Sequence, residues 1–119
     1  MAGNYEDLTV WRKAMGLARL AYRLAESLPS AERFALIDQI HRSAISVPSN
    51  IAEGQGRSSR GEFRQFLGHA RGSLYELETQ MWLAASLEYI SAALMNDFLQ
   101  SSKEVGKLLN GLLASIKPN

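Results

Sequence analysis

From Val10 to Ile116 apolar residues recur at alternating steps of four and three, a spacing that leaves little but helix for this chain to form. Such steps line side chains along one stripe of an α-helix, whereas a half-buried strand needs alternation at every second residue. In the first segment the stripe is Val10, Ala14, Leu17, Ala21, Leu24 and Leu28; Asp7 or Thr9 is placed to cap it, and Leu28-Pro29-Ser30 ends it. The second segment, with Ser30 as N-cap, carries Arg33, Ile37, Ile40, Ala44, Val47 and Ile51 on one face. It stops at Gly54-Gln55-Gly56, where either glycine can take the left-handed conformation that closes a helix. The third opens on a capping box, Ser59-Arg60-Gly61-Glu62, and keeps Phe63, Phe66 or Leu67, Ala70, Leu74, Leu77, Met81 and Ala84 in register. Ser91 can cap the fourth, which offers Leu94, Phe98, Val105, Leu108, Leu112 and Ile116 before Pro118. The expected helices are therefore 8–28, 31–54, 59–87 and 91–116, joined by short connections. That pattern reads as an all-α, single-domain, antiparallel up-down-up-down four-helix bundle over residues 1–119.

One residue resists its helix. Pro48 lies inside the second stripe, where it deletes a backbone hydrogen bond and crowds the carbonyl of Ala44, at a cost of about 3 kcal/mol. A bend at this point, stabilised by its surroundings, is expected. The rest of the composition excludes rather than points. Cysteine is absent, so there is no disulfide or thiol chemistry, which suits a reducing cytoplasm. No window approaches 18 consecutive apolar residues, so no membrane partner is expected, and the polar, acidic opening Met-Ala-Gly-Asn-Tyr-Glu-Asp does not read as a signal peptide. A formal net charge of +1 withholds the simplest electrostatic pointer to nucleic acid.

Chemistry-bearing constellations are equally scarce. The two histidines, His41 and His69, belong to no Glu-x-x-His pair, so the di-iron bundle pattern fails. No His-Glu-x-x-His, phosphate loop or nucleophile–base pattern is present, and Gly54-Gln55-Gly56 is too short to cradle a nucleotide. No cofactor, no metal and no enzymatic activity are expected.

Three surface features remain. On the side of helix 3 away from its stripe lie Gly61, Gly68, Gly72, Tyr75, Thr79, Leu83 and Ser86, with Trp82 at the edge. An uncharged face with interior glycines, each costing about 1 kcal/mol against alanine, suits close backbone approach. Either helix 3 packs on both sides within one bundle, or Gly68, Gly72, Tyr75, Thr79 and Trp82 meet a neighbouring subunit. On helix 2 a polar stripe runs through Asp38, Arg42, Ser46, Ser49 and Glu53, with Asn50 beside it. If helices 2 and 3 are antiparallel about Arg57, facing residue numbers sum to roughly 114. Arg42 then falls within reach of Glu76, and the two read as a structural ion pair. Finally, Arg57, Arg60, Arg64 and Arg71 crowd one flank of helix 3 and the turn before it, against Glu53 and Glu62. Such a stripe is either a solvated face or a grip for phosphates.

The stretch Arg42-Ser43-Ala44-Ile45-Ser46-Val47-Pro48-Ser49-Asn50-Ile51-Ala52-Glu53-Gly54 resembles the signature of the four-helix bundle proteins encoded in intervening sequences of bacterial large-subunit ribosomal RNA genes. Asp7-Leu8-Thr9-Val10-Trp11-Arg12-Lys13-Ala14, Gly72-Ser73-Leu74-Tyr75-Glu76-Leu77-Glu78-Thr79-Gln80 and Tyr89-Ile90 fit as well, so the resemblance covers about residues 5–115. Glu88 departs from it, since the family usually places glycine there. The resemblance implies an antiparallel four-helix bundle, typically a homopentamer. From their own positions in the sequence, Arg42, Pro48, Asn50, Glu53, Gly54 and Glu76 are read in structural roles. The pattern is also similar to the accessory protein of diversity-generating retroelements, which assists a reverse transcriptase and has nucleic acid as its implied partner. The expected function is thus a non-enzymatic, cytoplasmic, oligomeric accessory protein that binds RNA or DNA through the arginine cluster. The alternative is a scaffold that binds another protein and touches no nucleic acid.

Overall fold

In the computed structural model, which describes residues 4–116, four long α-helices follow one another: α1 (Thr9–Ala25), α2 (Leu36–Gln55), α3 (Arg60–Ser86) and α4 (Ala92–Ser115). No strand occurs among the described residues. Short 3-10 turns precede the first two helices, at Tyr5–Asp7 and Ser30–Glu32. Around the bundle α1 packs on α2 and α4, and α3 packs on the same two from the opposite corner. Cross-helix contacts give the directions: Tyr22 stacks on His41, Gly54 lies against Phe66, and Arg71 donates to Asn110 Oδ1 at 2.9 Å, so each connection reverses the chain.

The core is the convergence of the apolar stripes. Val10, Ala14, Leu17, Ala21, Leu24 and Leu28 are all buried on the α1 side, as are Leu67, Ala70, Leu74, Leu77, Met81 and Ala84 on α3. On α4 the buried row is shifted from expectation. Met95, Phe98, Ser102, Val105, Leu109 and Leu113 point inward, while Leu94 is exposed and Leu108 and Leu112 are half-buried. Paired apolar residues at 94–95, 108–109 and 112–113 make two stripes equally plausible by spacing. The true one passes through Ser102, whose burial is compensated because its hydroxyl donates to the Glu78 carboxylate of α3.

Helix ends differ from expectation where the connection is under constraint. Neither Asp7 nor Thr9 caps α1; the Asn4 side chain accepts from Glu6 N at 3.0 Å, and the 3-10 turn delivers Leu8 as N-cap without a side-chain bond. Helix α2 starts at Leu36 rather than 31, because Pro29 and Ser30 accept from Glu32 and Arg33 in tight i+3 turns and Ala35 leaves the helical region (φ −124, ψ −99). Arg33 is consequently exposed, not part of the stripe. The α2 helix then runs to Gln55 with the buried Pro48 in its interior. Ser59 and Ser91 cap α3 and α4, accepting from Glu62 N at 3.1 Å and Leu94 N at 3.2 Å. Pro118 lies outside the described residues.

Neither Gly54 nor Gly56 takes the left-handed conformation expected of them. Gly56 stays right-handed (φ −80, ψ −4), while Gly54 sits inside α2, where a Cβ would lie 2.8 Å from Phe66 Cβ and 3.0 Å from Phe63 Cδ1. Gly54 is there to let two helices touch. The left-handed residue is Glu88 (φ 63), just after α3. Glu88 N donates to Ala85 O and Tyr89 N to Ala84 O, both at 2.9 Å, the paired bonds of a Schellman cap.

Candidate functional site

Three of the four residues singled out for phosphate contact are already occupied. Arg57 donates to Glu53 Oε2 at 2.6 Å, one helical turn back, and its guanidinium sits 4.7 Å from the centre of the Phe66 ring. Arg64 leans across to α4, where one nitrogen donates to Leu113 O and, at 3.2 Å, to Ile116 O. These carbonyls lie in the last turn of α4 and at its C-cap Ile116, where a helix runs out of backbone donors, so Arg64 acts as a cap delivered from a neighbouring helix. Arg71 is tied to Asn110. Arg60 alone of the four makes no hydrogen bond or ion pair among the described residues. The four do not form a free stripe.

The expected Arg42–Glu76 pair does not form. Arg42 Nε donates to Asp38 Oδ2 at 3.0 Å instead, along its own helix. The reason is register: Ser46 meets Ser73 at 2.7 Å and Ser43 donates to Gln80 Oε1 at 2.5 Å, so each α2 residue faces a position further along α3 than a turn centred on Arg57 implies. Asn50 completes this junction, its Nδ2 donating to Ser46 O at 2.8 Å and Ser46 Oγ at 2.9 Å. Above it lies an open cleft whose walls include Gly68, Gly72, His69 and Glu76.

The second face of α3 is bare. A Cβ added at Gly61, Gly68 or Gly72 would meet no atom within 4 Å, so these glycines serve no approach inside the subunit. Beyond them Tyr75, Trp82 and Leu83 are 50%, 54% and 48% exposed, with Thr79 exposed between. Packing of α3 on both sides within one bundle is therefore excluded. On the other side of the molecule, α1 and α2 enclose an apolar groove of about 850 Å³ lined by Trp11, Met15, Tyr22, Ile45 and Pro48, with Arg19 and Arg23 on its wall. Sequence reasoning missed this groove. The half-exposed Ile45 on the outward side of α2 is a large apolar residue that the stripe leaves unused.

A model of the 23S rRNA-intervening sequence protein family matches residues 6–111. The chain belongs to that family. Its structure is similar to that of a protein of unknown function from the S23 ribosomal protein family of Bacteroides thetaiotaomicron, with 28% identity over 88% of this chain and 98% of the other, at a TM-score of 0.82. None of the curated proteins matches. In this chain the two most distinctive motifs, 42–54 and 72–80, face each other across the α2–α3 junction. Ser43, Ser46, Asn50, Ser73 and Gln80 bond to one another or to adjacent backbone there, while Gly54 admits Phe66. The signature thus describes how two helices lock together, and Pro48 and Gly54 are buried within it. No helix among the described residues is long and apolar enough to cross a membrane.

Proposed function

We propose that this protein is a non-enzymatic, self-associating accessory protein of the cytoplasm, which works by assembling and presenting a surface to another macromolecule. The observation that carries this reading is the second face of α3, where Gly68, Gly72, Tyr75, Thr79 and Trp82 stay open in the isolated subunit. The two interior glycines on this face, Gly68 and Gly72, would be a net cost of about 2 kcal/mol against alanine if nothing ever approached them. Tyrosine and tryptophan are also the side chains that most often anchor interfaces. The family resemblance adds the form of the assembly, a homopentamer.

Between the two kinds of partner, a protein surface is favoured over RNA or DNA. Arg57, Arg64 and Arg71 spend donors on internal acceptors, and a phosphate would have to compete with them. Light scattering on the purified protein tests the reading: a discrete oligomer is expected, and a monomer at all accessible concentrations would overturn it. Gly72→Leu sharpens the test, since a Cβ at this position meets no atom within 4 Å in the subunit and assembly should suffer first.

A further inference from the structure

The ridge on α3 needs a receptor, and the chain carries one. The α1–α2 groove is apolar along its floor, and an open apolar surface of this kind normally marks a contact. Its walls bear Arg19 and Arg23, neither of which makes a hydrogen bond or ion pair among the described residues. The ridge is flanked by the exposed Glu76 and Glu88, whose carboxylates are likewise without an ionic partner among the described residues. Cations left over beside the groove and anions left over beside the ridge are complementary surfaces on a single chain.

We propose that the Tyr75–Trp82–Leu83 ridge of one subunit seats in the α1–α2 groove of the next copy, with Arg19 and Arg23 of the groove facing Glu76 and Glu88 of the ridge. This rests on the self-association proposed above and names its contact. The contact is heterologous: each subunit uses a ridge and a groove on different helices, so every docked copy still offers one of each, and the chain of contacts ends only when a ring closes. An isologous contact through the groove would instead bring Arg19 and Arg23 toward their own copies, setting like charge against like. Trp82 is the natural anchor, being a large, rigid aromatic with an apolar slot to fill.

The absence of cysteine makes the test direct. Thr79→Cys places a thiol on the ridge and Ser49→Cys places one on the groove wall, both at exposed positions. When the two variants are mixed and treated with a short bis-maleimide, a covalent dimer containing one of each is expected, with little product from either alone. Wild-type assembly accompanied by Thr79→Cys self-linkage, or by no mixed product, would overturn this docking while leaving self-association standing; a monomeric wild type would remove both. The charges give a second readout. Arg19→Glu with Arg23→Glu should weaken assembly at least tenfold, and adding Glu76→Arg with Glu88→Arg to the same chain should restore it. Failure of the four-residue swap to restore assembly, with helicity intact by circular dichroism, would also count against the docking.

Discussion

Glu88 is the one non-glycine residue with positive φ among the described residues. A non-glycine residue at φ 63 costs about 1–2 kcal/mol, because Cβ crowds the neighbouring carbonyl, and here the cost is carried to close α3 with a Schellman cap. Glu88→Gly should therefore stabilise the fold by about 0.5–1 kcal/mol, the strain relief being partly offset by the greater freedom glycine adds to the unfolded chain. A urea titration checks it; an unchanged or lower midpoint would show that the cap is not strained. Gly54 is the converse case. Its missing Cβ would press on Phe66 Cβ at 2.8 Å and on the Phe63 carbonyl at 3.3 Å, and a backbone atom cannot swing aside. Gly54→Ala should cost about 1–3 kcal/mol despite alanine's better helix propensity, with the loss seen in the same titration. The sequence pointed to glycines at 54 and 56 as helix stops, since a stop and a close approach ask for the same residue. Only the position of α3 separates them.

Among the elements, α4 depends on a neighbour for its end. Arg64 supplies charged donors to Leu113 O and Ile116 O, so Arg64→Ala should fray the last turn and cost about 1–3 kcal/mol, visible as faster amide exchange near residues 112–116. The α3–α4 turn has its own tie, from Tyr89 OH to Glu32 Oε2 at 3.0 Å. That hydrogen bond, with partial desolvation and the Glu32 charge behind it, holds the Tyr89 hydroxyl above its ordinary value of 10.0. The folded state thus keeps its proton where the unfolded state has begun to lose it, so stability is full below about pH 10 and declines as pH rises beyond. Urea midpoints from neutral to alkaline pH should fall more steeply for the wild type than for Tyr89→Phe; parallel curves would contradict the linkage. Fold class, helix number and the α1 and α3 stripes were legible in the sequence because one apolar row dominates each. The α4 row was not, for Leu108-Leu109 and Leu112-Leu113 offer two rows and the correct one hides a serine. Nor was the α2–α3 register, which the Ser46–Ser73 and Ser43–Gln80 bonds set rather than the turn.

At the scale of the whole molecule, a bundle 46 Å long and about half as wide can engage nucleic acid only through charge it has left over. Composition suggested a stripe of four arginines; the fold leaves Arg60 outright and ties Arg57, Arg64 and Arg71 to acceptors of their own. Each phosphate neutralised releases counterions and contributes about −0.7 to −0.9 to the slope of log affinity against log salt. With Arg60 the one free arginine of this stripe, the stripe gives a shallow slope and little affinity at about 0.1 M salt. We expect no mobility shift there with single-stranded, duplex or structured RNA or DNA, and only weak, sequence-independent binding at low salt. Arg60→Ala should make that slope shallower by about one for every phosphate that Arg60 neutralises, without touching stability. Arg64→Ala, by contrast, should lower stability first. A tight complex at about 0.1 M salt with a steep slope would mean that the internal acceptors of Arg57, Arg64 and Arg71 are surrendered to phosphate. Because those acceptors include the end of α4, such binding would have to loosen Leu113–Ile116, and amide exchange in that turn would report it.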